Sequence, residues 1–283
     1  MAMNEGVLYV VATPIGNLQD ITARALDTLK RVARIAAEDT RHSRKLLAHY
    51  GIDTPMTALH EHNEHEVTGT LLKMLHSGTD LALISDAGTP LISDPGFYLV
   101  RAVRQAGMKV VPVPGPSACI TALSASGLPT DRFVFEGFLP AREHARRQRL
   151  EALRDEHRTL VFYESSHRVA DCLTDMVEVL GAGRAAVVAR ELTKTFETIR
   201  AGALSELLAW LLGDAQQQRG EFVVMVQGEA PAAEAAMDPQ AQQVLELLMQ
   251  ELPLKQAAAL ASKITGLAKN LCYQRALELK KAN

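Results

Sequence analysis

Short apolar runs alternate with amphipathic stretches over the first 125 residues. Val7–Ala12, Arg34–Ala37, Met56–Leu59, Leu81–Ile84 and Lys109–Val113 are mainly apolar and too short for helices, so each reads as a buried strand. Between them, Thr22–Arg31, Ser43–Tyr50, Val67–His76, Phe97–Gln105 and Ser117–Ala125 carry helical spacing. Gly51, Gly78 and Gly107 follow three of these helices, where a left-handed residue closes the last turn. Strand–helix alternation predicts a largely parallel sheet covered by helices on both faces.

Gly127–Asp131 (Gly-Leu-Pro-Thr-Asp) breaks the pattern and reads as a linker. Beyond it, Phe133–Phe135, Leu160–Tyr163, Ala185–Ala189, Thr198–Ala201 and Phe222–Gln227 read as strands. Arg142–Asp155, Ser166–Leu180 and Ser205–Leu212 read as helices. A linker rich in Ala, Pro and Glu (228–238) precedes three helices, Pro239–Glu251, Leu254–Thr265 and Ala268–Lys281. The last two, joined at Gly266, have helix-turn-helix spacing, which a plain αα-hairpin packed on the body satisfies equally. The expected architecture is therefore two α/β domains, 1–126 and 127–229, with a cleft between them, and a C-terminal helical segment, 230–283.

Composition narrows the class. Apolar residues make up 47% and charged residues 22% of 283, the profile of a packed globular protein. The net charge of −3 is unevenly spread: residues 254–283 hold six Lys or Arg against one Glu, a net +5, leaving −8 for the rest. A basic tail on an acidic body suits an anionic partner or a solvated helical face. Cys119, Cys172 and Cys272 are far apart with no metal spacing, which favours isolated thiols in a reducing compartment. No run resembles a signal segment or the roughly 18 apolar residues of a membrane span, so the expected location is the cytoplasm and no membrane is expected as a partner.

The chemistry concentrates in loops that follow the first-domain strands, where α/β proteins place ligands. Ser85-Asp-Ala-Gly-Thr-Pro-Leu-Ile-Ser-Asp-Pro-Gly96 offers backbone amides and carboxylates but no Lys or Arg, which suits a ligand with hydroxyls or an amine and no phosphate. Thr13-Pro-Ile-Gly-Asn-Leu-Gln-Asp20 lacks the G-x-G-x-x-G of dinucleotide folds. Glu38-Asp-Thr-Arg41 places two carboxylates and an Arg at a strand end. Pro114-Gly-Pro-Ser-Ala118 enters a helix, and Ser117 alone would be read as its cap. His60-Glu-His-Asn-Glu-His65 puts His60 and His62 on one face, but no third ligand or H-E-x-x-H helix completes a zinc set, so no metal is expected. In the second domain, Phe162-Tyr-Glu-Ser-Ser-His-Arg168 and Arg190-Glu-Leu-Thr-Lys194 also follow strands. Phe162 and Tyr163 there are core residues or a ligand platform. Arg142, Arg146, Arg147 and Arg149 form a basic cluster, with Arg154 beyond, suited to phosphates or to a solvated helix face.

Taken together, Thr13–Leu18, Ala37–Arg41, Ser85–Gly96, Pro114–Ala118, Tyr163–Arg168 and Arg190–Lys194 resemble the tetrapyrrole methylase superfamily, and within it the branch of small-subunit ribosomal RNA 2′-O-ribose methyltransferases. The resemblance spans essentially the whole chain; Ser166 stands where that branch usually has Pro. It implies S-adenosylmethionine as cofactor, a cytidine ribose of the decoding region of 16S rRNA in the 30S subunit as target, and a homodimer. It implies a cofactor site of Pro14, Asp86, Gly88, Thr89, Asp94, Ser117, Ala118, Phe162, Tyr163 and Glu191. A ribose hydroxyl needs a proton acceptor, and the strand ends offer Glu38 and Asp39 first, then His60 or His62, with Glu64, Glu164 and His167 also present. Arg41, Arg142, Arg146, Arg147, Arg168, Arg190 and Lys194 are the expected RNA-facing cations. Two other readings remain open: a methylase of a tetrapyrrole or other small substrate, and a helix-turn-helix regulator with a ligand-sensing body.

Overall fold

The computed structural model describes residues 5–229, 237, 239–267 and 269–282. Strands β1 (Leu8–Val11), β2 (Arg34–Ala37), β3 (Met56–Ala58), β4 (Leu81–Ile84) and β5 (Val110–Val113) alternate with helices α1 (Ala23–Arg31), α2 (Thr40–His49), α3 (Glu64–His76), α4 (Phe97–Gln105) and α5 (Ala118–Ser126). The strands form one sheet in the order β3-β2-β4-β1-β5, and every pairing is parallel.

Both faces of this sheet are buried, which explains its continuous apolar runs. Along β4, Ala82 and Ile84 join a core with Ala25 and Leu29 of α1 and Leu47 of α2. Leu81 and Leu83 point the other way, into a core with Leu71 and Leu75 of α3 and Leu99 and Val103 of α4. Two helices start three residues earlier than their apolar spacing predicts. Asp39 caps α2 by accepting from the Arg41 amide at 2.8 Å. The first turn of α3 is polar, yet it buries Glu64, whose Oε1 accepts from the Tyr98 and Leu99 amides at 2.8 and 3.2 Å. That carboxylate closes the start of α4, where the N-cap residue Gly96 has no side chain to do so.

The second sheet runs β6 (Phe133–Phe138), β7 (Thr159–Ser165), β10 (Glu221–Val226), β8 (Ala185–Arg190) and β9 (Thr198–Ala203), in that spatial order. Only β6 and β7 are parallel; the other three pairings are antiparallel. Helices α6 (Glu143–Ala152), α7 (Val169–Leu180) and α8 (Leu204–Gly213) cover one face with a core that includes Leu150, Met176 and Leu207. The other face, through Val161, Val187, Val223 and Met225, packs against Cys119, Ala122 and Leu123 of α5. A helix that follows the first sheet thus closes the core of the second, and residues Met1–Gly228 form one compact unit.

Residues Glu229–Asn283 form the other unit. Its helices α9 (Pro239–Glu251), α10 (Leu254–Thr265) and α11 (Lys269–Ala282) bury Leu245, Ala258, Ala261, Cys272 and Ala276 around one small core. Gly266 ends α10 at φ +75°, the left-handed position the turn requires. Among the described residues no helix is long and apolar enough to cross a membrane.

Candidate functional site

The loops at the carboxyl ends of β1, β2, β4 and β5 converge on a cavity of about 440 Å³. They contribute Ile15, Glu38, Asp86–Thr89, Ile92–Asp94, Ser117 and Ala118. The opposite wall comes from the second sheet: Phe138 of β6, Tyr163–Ser166 at the end of β7, Leu192 after β8, and Gly220–Val223 entering β10. Not one lining residue is Lys or Arg.

Backbone geometry shapes this wall. Thr13 and Gly88 exchange hydrogen bonds, with the Thr13 amide donating to Gly88 O at 2.8 Å and the Gly88 amide to Thr13 O at 3.0 Å. The Thr13 hydroxyl donates to Ser85 O at 3.2 Å. Gly88 holds φ +76°, so a side chain there would be strained even though a Cβ would only touch Ile15 at 3.4 Å. Leu91 (φ 74°) and Ser93 (φ 65°) also lie in the left-handed region, as do Glu191 and Thr193 in the loop that supplies Leu192. Each such residue costs about 1 kcal/mol, and strain of this kind collects at ligand-binding loops.

The carboxylates set the electrostatics. Burial raises the pKa of Asp94 to about 6, reinforced by the charges of Glu38 and Asp86. Burial likewise raises Glu38, despite a hydrogen bond from the Asp86 amide. Glu164 is 2% exposed, and its Oε2 has no hydrogen-bond partner although Arg168 Nη2 is 3.4 Å away. Tyr163 is pushed up to about 12 by burial, and its hydroxyl oxygen accepts from the Cys119 amide at 3.0 Å. Its ring packs edge-on to Phe135 and Phe138, with centroids 4.9 and 5.8 Å away. Ser117 occupies the N-cap of α5 but makes no cap bond, so the capping role expected for it is not what the hydroxyl does.

Several expected site residues lie elsewhere. Phe162 is 0% exposed in the core under α7, because adjacent residues on a strand face opposite sides and Tyr163 takes the cavity side. Pro14 is buried beside the Thr13 bridge and is not part of the lining. Glu191 is held off the cavity: its Oε1 accepts from Lys194 Nζ at 2.9 Å and from the Glu221 amide at 3.0 Å. Asp39 binds Arg41 through both carboxylate oxygens, and that bond lowers its pKa to about 2, leaving a weak proton acceptor. His60 and His62 follow β3, the edge strand, and so miss the cavity; both are exposed, with ring centroids 6.0 Å apart.

The expected RNA-facing cations divide in the same way. Arg146 is 5% exposed and binds Asp175 at 2.6 Å. Arg190 is 8% exposed and donates to the carbonyls of Arg219, Phe196 and Gln216 at 2.6, 3.2 and 3.0 Å. Arg168 donates to Leu139 O at 2.5 Å, and Lys194 bridges Glu191 and Glu221. These four organise the protein's own loops. Arg147 shares Asp175 while also pairing with Glu143 and Glu178, and only Arg41 and Arg142 are fully presented to solvent.

The spacing of residues gave no hint of Phe138 or Glu221. β6 continues past Phe135 through a bulge at Gly137, which carries Phe138 to the cavity. β10 runs antiparallel to β7, so its first residue, not its last, meets the site.

A two-sheet α/β fold with a phosphate-averse cavity at the strand ends is the architecture of a class of methyl-transferring enzymes, and the comparisons agree. The family model described as Tetrapyrrole (Corrin/Porphyrin) Methylases matches residues 7–208, and one described as RsmI C-terminal HTH domain matches residues 235–280. A Pseudomonas aeruginosa protein named ribosomal RNA small subunit methyltransferase I is 60% identical, over 98% of each chain. A protein of the same name from Escherichia coli O157:H7 is 56% identical, over 97% of this chain and 96% of its own. Among solved structures, diphthine synthase shares the fold with a TM-score of 0.60 at 13% identity, over 78% of this chain and 90% of that one. The chain belongs to the tetrapyrrole methylase family and is a methyltransferase.

Proposed function

We propose that the cavity binds S-adenosylmethionine and that the protein, in the cytoplasm and as a homodimer, methylates the ribose 2′-hydroxyl of a cytidine in small-subunit ribosomal RNA. The observation that carries the cofactor is the donor set: Asp86, Asp94 and Glu38 line a cavity without Lys or Arg among its described residues. That set suits an amino group, ribose hydroxyls and a cationic sulfur, and repels phosphate. Ser117 lines the cavity without capping its helix, which leaves its hydroxyl, beside that of Tyr163, in reach of such a ligand. The RNA target is supported by the relatives' shared name and by near-complete mutual coverage.

When bound, the cofactor supplies an activated methyl carbon. The protein's task is then alignment and proton removal. Asp86 is an acceptor for the ligand's hydroxyls and amine. Thr89, whose hydroxyl donates to Pro116 O at 3.0 Å, fixes the loop across from Ser117. Tyr163 and Phe138, packed edge to face, give an apolar wall. Asp94 takes the ribose proton: it lines the cavity, and burial raises its pKa to about 6, which suits a proton acceptor near neutral pH. Burial is the main cause of that shift, and the negative charges of Glu38 and Asp86 add to it.

The experiment is methyl transfer from labelled S-adenosylmethionine to 30S particles isolated from cells lacking the modification. Alkali-stable dinucleotides carrying label are the expected product, since 2′-O-methylation blocks cleavage. Label on a base, or on a tetrapyrrole and not on RNA, refutes the reading. Sedimentation of the purified chain tests the dimer.

A further inference from the structure

A groove of about 230 Å³ lies between α3 and α4, lined by His65, Thr68, Tyr98, Arg101, Ala102 and Gln105. It shares no residue with the strand-end cavity. Thr68 is 8% exposed, and its hydroxyl oxygen is buried without a hydrogen-bond partner. A helical Thr ordinarily bonds back to the carbonyl one turn earlier, and this one does not. Tyr98 is 45% exposed and its ring lies against His65, with centroids 4.1 Å apart. Arg101 sits 5.9 Å over the ring of Phe97, itself 56% exposed, and no carboxylate pairs with it among the described residues.

We propose that this groove is a second RNA subsite, which takes one unpaired nucleotide of the strand being methylated. The inference rests on the RNA-methylating reading above. The base stacks on the Tyr98–His65 pair, the Arg101 guanidinium takes its phosphate, and the Thr68 hydroxyl and Gln105 amide meet polar atoms of base or ribose. Aromatic faces beside a free guanidinium are how proteins hold single-stranded nucleic acid. An apolar protein segment would want aliphatic walls, and Ala102 is the only one present.

The position fits. Asp94 lines the cavity and Tyr98 lines the groove. Four residues of chain span at most about 14 Å, so the groove is within a few nucleotides' reach of a strand whose ribose meets Asp94. The groove is also rigid, because Glu64 of α3 binds the first amides of α4.

The test uses the full chain, S-adenosylmethionine and unmodified 30S particles, with Tyr98→Ala, Tyr98→Phe, Arg101→Ala and Thr68→Val. For Tyr98→Ala, KM for particles rises at least about fivefold, the lower end for a lost base stack, while kcat and calorimetric cofactor affinity stay unchanged. Tyr98→Phe keeps the ring and behaves as wild type. Arg101→Ala lowers the salt dependence of RNA binding by about one counterion. Both Tyr98 and Arg101 are surface residues, so their variants fold even if Thr68→Val does not. Unchanged KM in Tyr98→Ala and Arg101→Ala, with wild-type transfer intact, overturns the subsite alone. Conversion of a dimer to monomers by Tyr98→Ala overturns it in favour of an interface between copies. Failure of the wild type to methylate particle RNA removes the parent reading and the subsite together.

Discussion

Replacing Asp94 by Asn separates the cost of the acidic cavity from its use. Burial and the charges of Glu38 and Asp86 hold this carboxyl near 6, against an ordinary 3.8. The native state therefore binds the proton more tightly than the unfolded chain does. Stability is highest below the unfolded value, falls as pH rises from about 4 to about 6, and stays at the lower level above that. Two pKa units correspond to about 3 kcal/mol for a dry group, and residual contact with water reduces the strain to about 1–3 kcal/mol. Asn carries no charge, so Asp94→Asn should stabilise the ligand-free protein by that amount near pH 7.5 and by almost nothing near pH 4. Trp210, the single tryptophan, lies in α8 and reports unfolding of residues 1–228. Urea midpoints followed by its fluorescence, for both proteins across this pH range, give the difference directly. The same variant should lose methyl transfer while keeping its fold. A variant no more stable than wild type at neutral pH, or a difference that does not change with pH, refutes the strained-carboxylate reasoning and removes the basis for Asp94 as proton acceptor.

Glu38→Gln removes a charge that holds Asp94 up, so the acid limb of the rate profile should move below pH 6; an unmoved limb in a pH–rate series counts against that coupling. Arg190→Leu strands the carbonyls of Arg219, Phe196 and Gln216, and should cost about 3 kcal/mol in chemical unfolding without altering the salt dependence of RNA binding. Ser117→Ala should leave stability within about 0.5 kcal/mol, since no cap is lost, yet weaken calorimetric cofactor binding about fivefold. Thr22→Ala is the contrast, because Thr22 does cap α1 by accepting from Ala25 N at 3.1 Å, and should cost about 1 kcal/mol in the same unfolding assay.

Much of the fold was legible because the strands of the first sheet are buried on both faces and read as unbroken apolar runs. β2, β4 and α4 fall on the residues their spacing predicts. Helix starts were less legible, since the first turns of α2 and α3 are polar and depend on Asp39 and Glu64 making particular bonds. The strand-end rule located Asp86, Gly88, Thr89, Asp94, Ser117 and Glu38 at the cavity. It failed for His60 and His62 because spatial order is not visible in sequence order: β3 lies at the sheet edge. It failed for Glu221 because an antiparallel strand brings its start to the site. The placement of Arg146, Arg168 and Arg190 is illegible in sequence for a different reason. A cation in a charged-looking loop can serve a partner or the loop itself, and Arg146, Arg168 and Arg190 find Asp175 and main-chain carbonyls inside the protein.

That inward use of arginine, together with a cavity walled by carboxylates, limits how a polyanion can approach. Glu38, Asp86 and Asp94 repel phosphate at the place where chemistry is proposed, and outside residues 254–283 the chain carries a net −8. A nucleotide entering there presents its neutral ribose edge, and its flanking phosphates must be held by charge located elsewhere. Exposed Arg41, Arg142 and Arg101 are among the cations of residues 5–228 available for that. Separating anchorage from chemistry has a physical advantage. Lys or Arg inside the cavity would lower the pKa of Asp94 and remove its ability to take a proton near neutral pH. The acidity that makes the cavity a poor RNA-binding surface is therefore the same property that makes it a competent place to activate a ribose hydroxyl.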